Sequence, residues 1–331
     1  MRIWPAAALL ATAAAGQIRF EDAAERAQLR FVLENGAAGR YHQPELMAGG
    51  LAVFDYNNDG RLDIFFTNGA ELPSLVKSSP KFHNRLFRNE GGLRFTDVTA
   101  EAGVAGHGYS MAAAAADYDG DGHLDLFVAG VNVNILYRNL GNGRFEDVTA
   151  VARLSNKGVW SIAAGFFDYN NDGKPDLLIS NYVVWDPKTE PRCGPPDHPI
   201  YCHPSAYPGL PNQLFRNNGD GTFTDVSQQS GIGRFVNKGM GVAFADIDGD
   251  GYSDAFVSND STRHLLFHNQ RDGTFQEIAM EAGVAFREDG APIAGMGAEL
   301  RDLDNDGMPD LVVAGMVNDT LELFRNRGQT L

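Results

Sequence analysis

The sequence predicts an all-β chain, a β-propeller of four-stranded blades with Asp-rich calcium loops. Three observations carry that prediction. A nine-residue acidic pattern with glycine at its sixth position occurs five times in 331 residues. Each copy lies between two short apolar runs of strand character, and each is followed by a Leu-Phe-Arg-Asn-like run. The first four of those runs pass through a glycine turn into a Phe-x-Asp-Val-like run. Four short strands per unit, repeated with almost no helical periodicity, are what propeller blades look like in sequence.

The unit opens on a run rich in Gly and Ala at residues 47–54, 111–116, 161–167, 240–245 and 296–301. Small residues there allow backbones to approach closely. The acidic loops come next, starting at residues 55, 117, 168, 246 and 302.

Loop one carries Asp55, Asn57, Asp59, Arg61 and Asp63 at its odd positions, and loop two carries Asp117, Asp119, Asp121, His123 and Asp125. Loop three has Asp168, Asn170, Asp172, Lys174 and Asp176. Loop four has Asp246, Asp248, Asp250, Tyr252 and Asp254, and loop five has Asp302, Asp304, Asp306, Met308 and Asp310. Side-chain oxygens at positions 1, 3, 5 and 9 are the donors a hard cation takes, and calcium fits best. Position 7 shares no side-chain chemistry among the copies, so only its backbone carbonyl is expected to serve as a ligand. Glycine at position 6 permits the sharp turn around the ion. The bland reading, in which Asp, Asn and Gly merely mark surface turns, suits one loop better than five with the same spacing.

An apolar run follows each loop at residues 64–66, 126–128, 177–179, 255–257 and 311–313, and these strands are expected to be buried on both faces. The third run ends at Asn89, Asn139, Asn217, Asn269 and Asn326. Turn plus alternation makes it a hairpin with the fourth run, which begins at Phe95, Phe145, Phe223 and Phe275. The fifth unit stops before a fourth strand, while Phe20-Glu21-Asp22-Ala23 stands alone near the N-terminus. Joining the two halves closes a ring of five blades and hides the open edges. The FG-GAP/VCBS repeats that these loops resemble imply the alternative, an incomplete seven-blade propeller. Residues 72–82 and 183–211 fall outside the repeat and read as loop insertions over one rim.

Position 12 counted from each loop start is Phe66, Val128, Ile179, Val257 or Val313. An EF-hand needs a bidentate Glu there and flanking helices, so that motif is excluded. Glycine-rich nonapeptide repeats of the β-helix type do not occur either.

The five loops hold 18 of the 43 Asp and Glu residues, and five calcium ions would offset ten of the sixteen net negative charges. The acidity is therefore mostly metal-site acidity, and it disfavours nucleic acid or an anionic membrane as partner. Residues 1–16 read as a signal peptide, with Arg2, an apolar run and small residues before Gly16, followed by one domain over 17–331. The apolar run is too short to span a bilayer, and no other stretch is long enough. Export to an extracellular or periplasmic space agrees with low-affinity calcium loops. Cys193 and Cys202 then favour one disulfide closing a short loop, with a transition-metal site built with His198 and His203 as the lesser alternative.

Taken together, the Asp-x-Asp/Asn-x-Asp-Gly-x-x-Asp loops, the Leu-Phe-Arg-Asn runs and the Phe-x-Asp-Val runs resemble the FG-GAP/VCBS calcium-loop propeller repeats. Residues 201–211 narrow the resemblance to the ASPIC/UnbV group related to cartilage acidic protein. The resemblance implies up to five structural Ca²⁺ ions, each tying the turn between a blade's first two strands.

Two functions are compatible with these residues. The first is a secreted binding or adhesion module for a protein or carbohydrate, with Tyr182, Trp185, Tyr201 and Tyr207 either forming a recognition surface or packing the insertion onto the rim. The second is an enzyme on the same scaffold, a polysaccharide lyase or biosynthetic enzyme, with His42, His107, His198 or His203 as acid/base. No Gly-x-Ser-x-Gly, His-Glu-x-x-His or phosphate-binding glycine loop supports a named chemistry, so the binding module is the preferred expectation.

Overall fold

A computed structural model describes residues 20–328 except 48, 157, 317 and 318. The expected signal peptide lies outside the described residues. Blade one is β1 (Leu51–Phe54), β2 (Asp63–Phe66), β3 (Arg85–Asn89) and β4 (Phe95–Asp97), and blade two is β5 (Tyr109–Ala116), β6 (Asp125–Val131), β7 (Val133–Asn139) and β8 (Phe145–Asp147). Blade three runs through β9 (Ser161–Phe167) and β10 (Asp176–Asn181), then past a ribbon strand β11 (Leu210–Pro211), into β12 (Gln213–Asn217) and β13 (Phe223–Asp225). β14 (Val236–Asn237) pairs with β11. Blade four is β15 (Gly239–Ala245), β16 (Asp254–Asn259), β17 (Leu265–Asn269) and β18 (Phe275–Glu277), and blade five is β19 (Gly295–Arg301), β20 (Asp310–Gly315) and β21 (Glu322–Phe324).

Within each blade the strands pair antiparallel in chain order. The blades follow one another as a five-bladed β-propeller, and their first strands pack on one another to form its inner wall. That wall explains the small residues. A Cβ on Gly50 would lie 2.2 Å from the Met111 carbonyl oxygen, and one on Gly165 would lie 2.4 Å from the Phe244 ring.

Hydrophobic cores form between blades. Phe54 and Tyr56 pack with Leu126 and Phe145, Tyr118 and Phe127 with Leu177 and Phe223, Phe167 and Leu178 with Val257 and Phe275, and Phe256 and Leu266 with Leu311 and Val313. Strands β6, β10 and β16, with a neighbour on each side, are buried throughout as the sequence predicts. In β2 and β20 burial is broken, because each lies in a blade with one packed side. Leu51 (56% exposed) in blade one and Leu323 (66% exposed) in blade five face outward accordingly.

The expected closure through Phe20-Glu21-Asp22-Ala23 is not made. Among the described residues β21 pairs with β20 alone, in a three-stranded sheet. The N-terminal segment instead turns at Ala27, whose carbonyl accepts the Phe95 amide at 2.8 Å, as Ala152 accepts the Phe223 amide at 3.0 Å. Phe31 then stacks on Phe66 with centroids 4.6 Å apart. These contacts hold the segment on the open face of blade one, where it replaces part of the cover a preceding blade gives elsewhere. Among the described residues no hydrogen bond or core cluster joins blade five to blade one.

The acidic loops lie at one end of the inner strands. At the other end, Tyr109, Met111 and Trp160 pack with Leu72 and Leu75 of the first insertion and with Trp185, Cys202 and Tyr207 of the second. Both insertions therefore cover one rim, as expected, although the second also supplies strand β11.

Candidate functional site

Each loop folds on its own carboxylates. The first-position Asp accepts the amides of positions 5 and 6, in loop two from Asp121 at 3.0 Å and Gly122 at 2.9 Å. The fifth-position Asp accepts the seventh amide, as Asp121 does from His123 at 2.9 Å. The sixth-position glycines hold φ between +82° and +92°, a conformation that disfavours side chains.

The ninth-position Asp side chains turn inward. Asp125 takes the Tyr118 amide at 3.1 Å and the Asn139 amide at 2.7 Å, which ties the loop to the third strand. Asp63, Asp176, Asp254 and Asp310 repeat both bonds. Burial pushes Asp63 up to about 6 and Asp125 and Asp176 up to about 7. A nearby cation would favour their charged forms.

Three loops gather carboxylate oxygens within 4.8 Å: Asp117, Asp119 and Asp125 in loop two, Asp246, Asp248 and Asp250 in loop four, and Asp302, Asp304 and Asp306 in loop five. In loops one and three Asn57 and Asn170 replace a carboxylate and donate to Asp59 and Asp172 at 3.0 and 3.4 Å. The donor sets are oxygen-only and suit a hard cation. Cationic side chains already lie against several of these oxygens: Arg271 on Asp250 at 2.6 Å, Arg325 on Asp304 at 2.6 Å, Arg61 on Asp59 at 2.5 Å and Lys174 on Asp172 at 3.1 Å. At position 7, Arg61 and Lys174 thus contribute charge as well as backbone, whereas His123, Tyr252 and Met308 place their amides on the fifth-position Asp. Loop two has no Lys or Arg at ion-pair distance among the described residues. Burial, then the Asp121 and Asp117 charges, raise its Asp119.

The third-strand Asn is a residue that loop spacing does not reveal. Asn139 Nδ2 donates to Leu124 O in its own loop at 2.9 Å and to Tyr56 O in the preceding loop at 2.7 Å. Asn217, Asn269 and Asn326 make the same reach to Tyr118, Tyr169 and Ile247. Its fivefold recurrence was the available signal.

At the opposite rim, Cys193 and Cys202 form a disulfide with Cα atoms 5.2 Å apart, which removes the transition-metal alternative. The insertion is clasped to the N-terminal segment by a buried network. His42 Nδ1 meets Glu190 Oε2 at 2.5 Å, Glu190 Oε1 accepts the Gln43 amide at 2.7 Å, and Tyr207 donates to the same oxygen at 3.2 Å. Tyr201 donates to Glu45 at 2.8 Å. Glu45 and Glu190 escape sequence reasoning because their partners are far away along the chain. Tyr182, Trp185 and Tyr207 are buried packing groups, and Tyr201 is half-buried. A carboxylate-oriented histidine can act as a base, but the free nitrogen of His42 is buried without a partner. His107, His198 and His203 are exposed. Two adjoining cavities of about 400 Å³ each share His107, Asn132 and Val133 beside the first insertion.

The model of the FG-GAP-like repeat matches residues 55–128, 117–179, 205–257 and 248–313. Cartilage acidic protein 1 of Mus musculus is 29% identical over 281 residues, which cover 81% of this chain and 40% of that protein. The Homo sapiens protein is 28% identical over the same length, covering 81% and 39%. The chain thus spans about two fifths of the length of these relatives. Among solved structures, an Agrocybe aegerita lectin described as recognising non-reducing terminal N-acetylglucosamine aligns at 19% identity and a TM-score of 0.43, over 86% of this chain and 64% of its own. With the repeat model matched over most of its length, the chain belongs to the FG-GAP-like repeat family.

Proposed function

We propose that the chain is a secreted, calcium-stabilised propeller that acts as a binding or adhesion module for a protein or carbohydrate. The calcium reading is carried by loop two, where three carboxylates converge with no Lys or Arg paired to them. Ca²⁺ held by these oxygens supplies the missing counter-charge, and because only the folded loop offers the site, binding stabilises the blade. The binding face is the rim opposite the loops, where the insertions, the disulfide and the paired cavities lie. Loops mounted on a rigid scaffold are the usual place for recognition.

The enzyme alternative draws less support. His42 is sealed inside the clasp, His203 is exposed and bonded to Ser205, and His198 is exposed with only the equally exposed Asp197 beside it at 3.5 Å.

Thermal melting in EDTA and in excess Ca²⁺ tests the metal reading. At free calcium about a hundredfold above Kd, one site adds about 2.7 kcal/mol, so the melting temperature should rise by several degrees. An unchanged melting temperature overturns the reading.

A further inference from the structure

We infer that the acidic loops bind calcium as two coupled pairs, loop one with loop two and loop three with loop four, and that Asn58 and Asn171 are the coupling residues. The inference rests on the calcium reading above.

The fourth loop position has positive φ throughout: Asn58 +57°, Gly120 +75°, Asn171 +56°, Gly249 +76° and Asn305 +62°. Glycine satisfies that backbone without a side chain, and asparagine tolerates it. The asparagines in loops one and three add a side chain that crosses to the next blade. Asn58 Nδ2 donates to Gly122 O at 2.9 Å and lies 3.1 Å from Nδ1 of His123. Asn171 Nδ2 donates to Gly251 O at 2.8 Å.

The peptide reached in this way is central to the receiving loop. Gly122 C=O shares its peptide with the His123 N–H, which donates to Asp121 at 2.9 Å. Gly251 C=O shares its peptide with the Tyr252 N–H, which donates to Asp250 at 2.7 Å. Each peptide plane is held on one side by its own fifth-position carboxylate and on the other by the neighbouring loop. It leads directly into the seventh-position carbonyl, the backbone ligand of this loop type. Ordering one loop therefore orders the other, and such coupling is reciprocal.

The seams alternate in the same sense. At the loop end of the blades, those between one and two and between three and four carry two side-chain bridges, from Asn58 and Asn139 and from Asn171 and Asn269. At that end, among the described residues, the other two seams carry only the bridge from Asn217 or Asn326. In each pair the donating loop has Asn at position 3 and Arg61 or Lys174 on its fifth-position Asp, and the receiving loop has four carboxylates, with Arg271 on Asp250 in loop four. The receiving loop fills first, and its ion pre-orders the weaker donating loop.

Calcium titration of the full chain by calorimetry tests this, comparing the parent with Asn58→Gly, Asn171→Gly and Asn305→Gly. Glycine keeps the backbone conformation, and Asn305 bonds to no other loop among the described residues. Asn58→Gly and Asn171→Gly should each weaken the lower-affinity class about three- to tenfold and flatten the titration, the effect of one exposed hydrogen bond. Asn305→Gly should titrate as the parent. Isotherms of the first two variants that superimpose on the parent overturn the coupling and leave the calcium reading standing. An equal loss in Asn305→Gly also overturns it, by assigning the effect to backbone freedom. No calcium uptake by the parent overturns the calcium reading itself.

Discussion

Asn139 in blade two donates its side-chain amide to the carbonyl of Tyr56 in blade one, 2.7 Å away and 83 residues earlier. The Tyr56 ring leans the other way, onto Phe145 of blade two with centroids 6.1 Å apart. One loop residue thus serves the seam twice, through its carbonyl and through its ring. Tyr118 with Phe223 and Tyr169 with Phe275 repeat the arrangement at 5.7 and 5.9 Å.

Removing the latch should cost more where it crosses a seam. Asn139→Ala leaves the buried Tyr56 carbonyl and the half-buried Leu124 carbonyl short of a donor, an expected loss of about 1–3 kcal/mol. Asn89 reaches only Leu62 O of its own loop, so Asn89→Ala should cost about 1 kcal/mol less. Urea midpoints of the two variants check the difference, and equal losses would show that the crossing bond contributes nothing.

The ring half of the contact has its own test. Tyr118 is 4% exposed and Leu303, at the same loop position in blade five, is 50% exposed. Tyr118→Ala should destabilise by about 3–5 kcal/mol and Leu303→Ala by under about 1 kcal/mol, as read from chemical denaturation with calcium held constant.

Loop charge should set calcium affinity. Asn170→Asp restores the fourth carboxylate of loop three and is expected to tighten it, and Asp119→Asn should weaken loop two. Calorimetric titration checks both. Weaker binding by Asn170→Asp would contradict the charge argument.

His264 should make stability depend on pH. It is 1% exposed, its Nδ1 accepts the Asn259 amide at 3.1 Å, and burial pushes its pKa down to about 4. The facing carboxylate is Glu322, 3.8 Å from Nε2. The unfolded chain takes up the proton first, at its ordinary pKa of about 6.5, so this contribution is intact above that pH and is lost as pH falls toward 4. It reaches about 3 kcal/mol when complete. His264→Gln should be less stable at pH 7 yet show a shallower decline between pH 6.5 and 4. An unchanged slope would exclude His264 as its source.

The blade strands and the loops were legible because they repeat. Period-two alternation, glycine turns and the five acidic patterns are local signals, and they placed β6, β10 and β16 and the loop carboxylates where they lie. The start of β1 was less legible: the expected strand over 47–54 is formed only from Leu51. No loop spacing singles out position 2, whose carbonyl and ring act on another blade. The clasp of His42 and Glu190 joins residues 148 apart, and no spacing rule encodes that.

The sequence by itself determined the repeat: four strands per blade, an oxygen-lined turn in each, and apolar middle strands. Those follow from periodicity and turn chemistry, which act over a few residues. The tertiary structure decided what joins to what. Phe20-Glu21-Asp22-Ala23 has the pattern of a closing strand, yet the chain that follows it is fixed to Phe95 and Phe66 of blade one. A strand pattern states which face is apolar and leaves open which neighbour covers it. That choice is made by long-range packing, which here set the pairing of seams, the cover over blade one and the buried clasp at the rim.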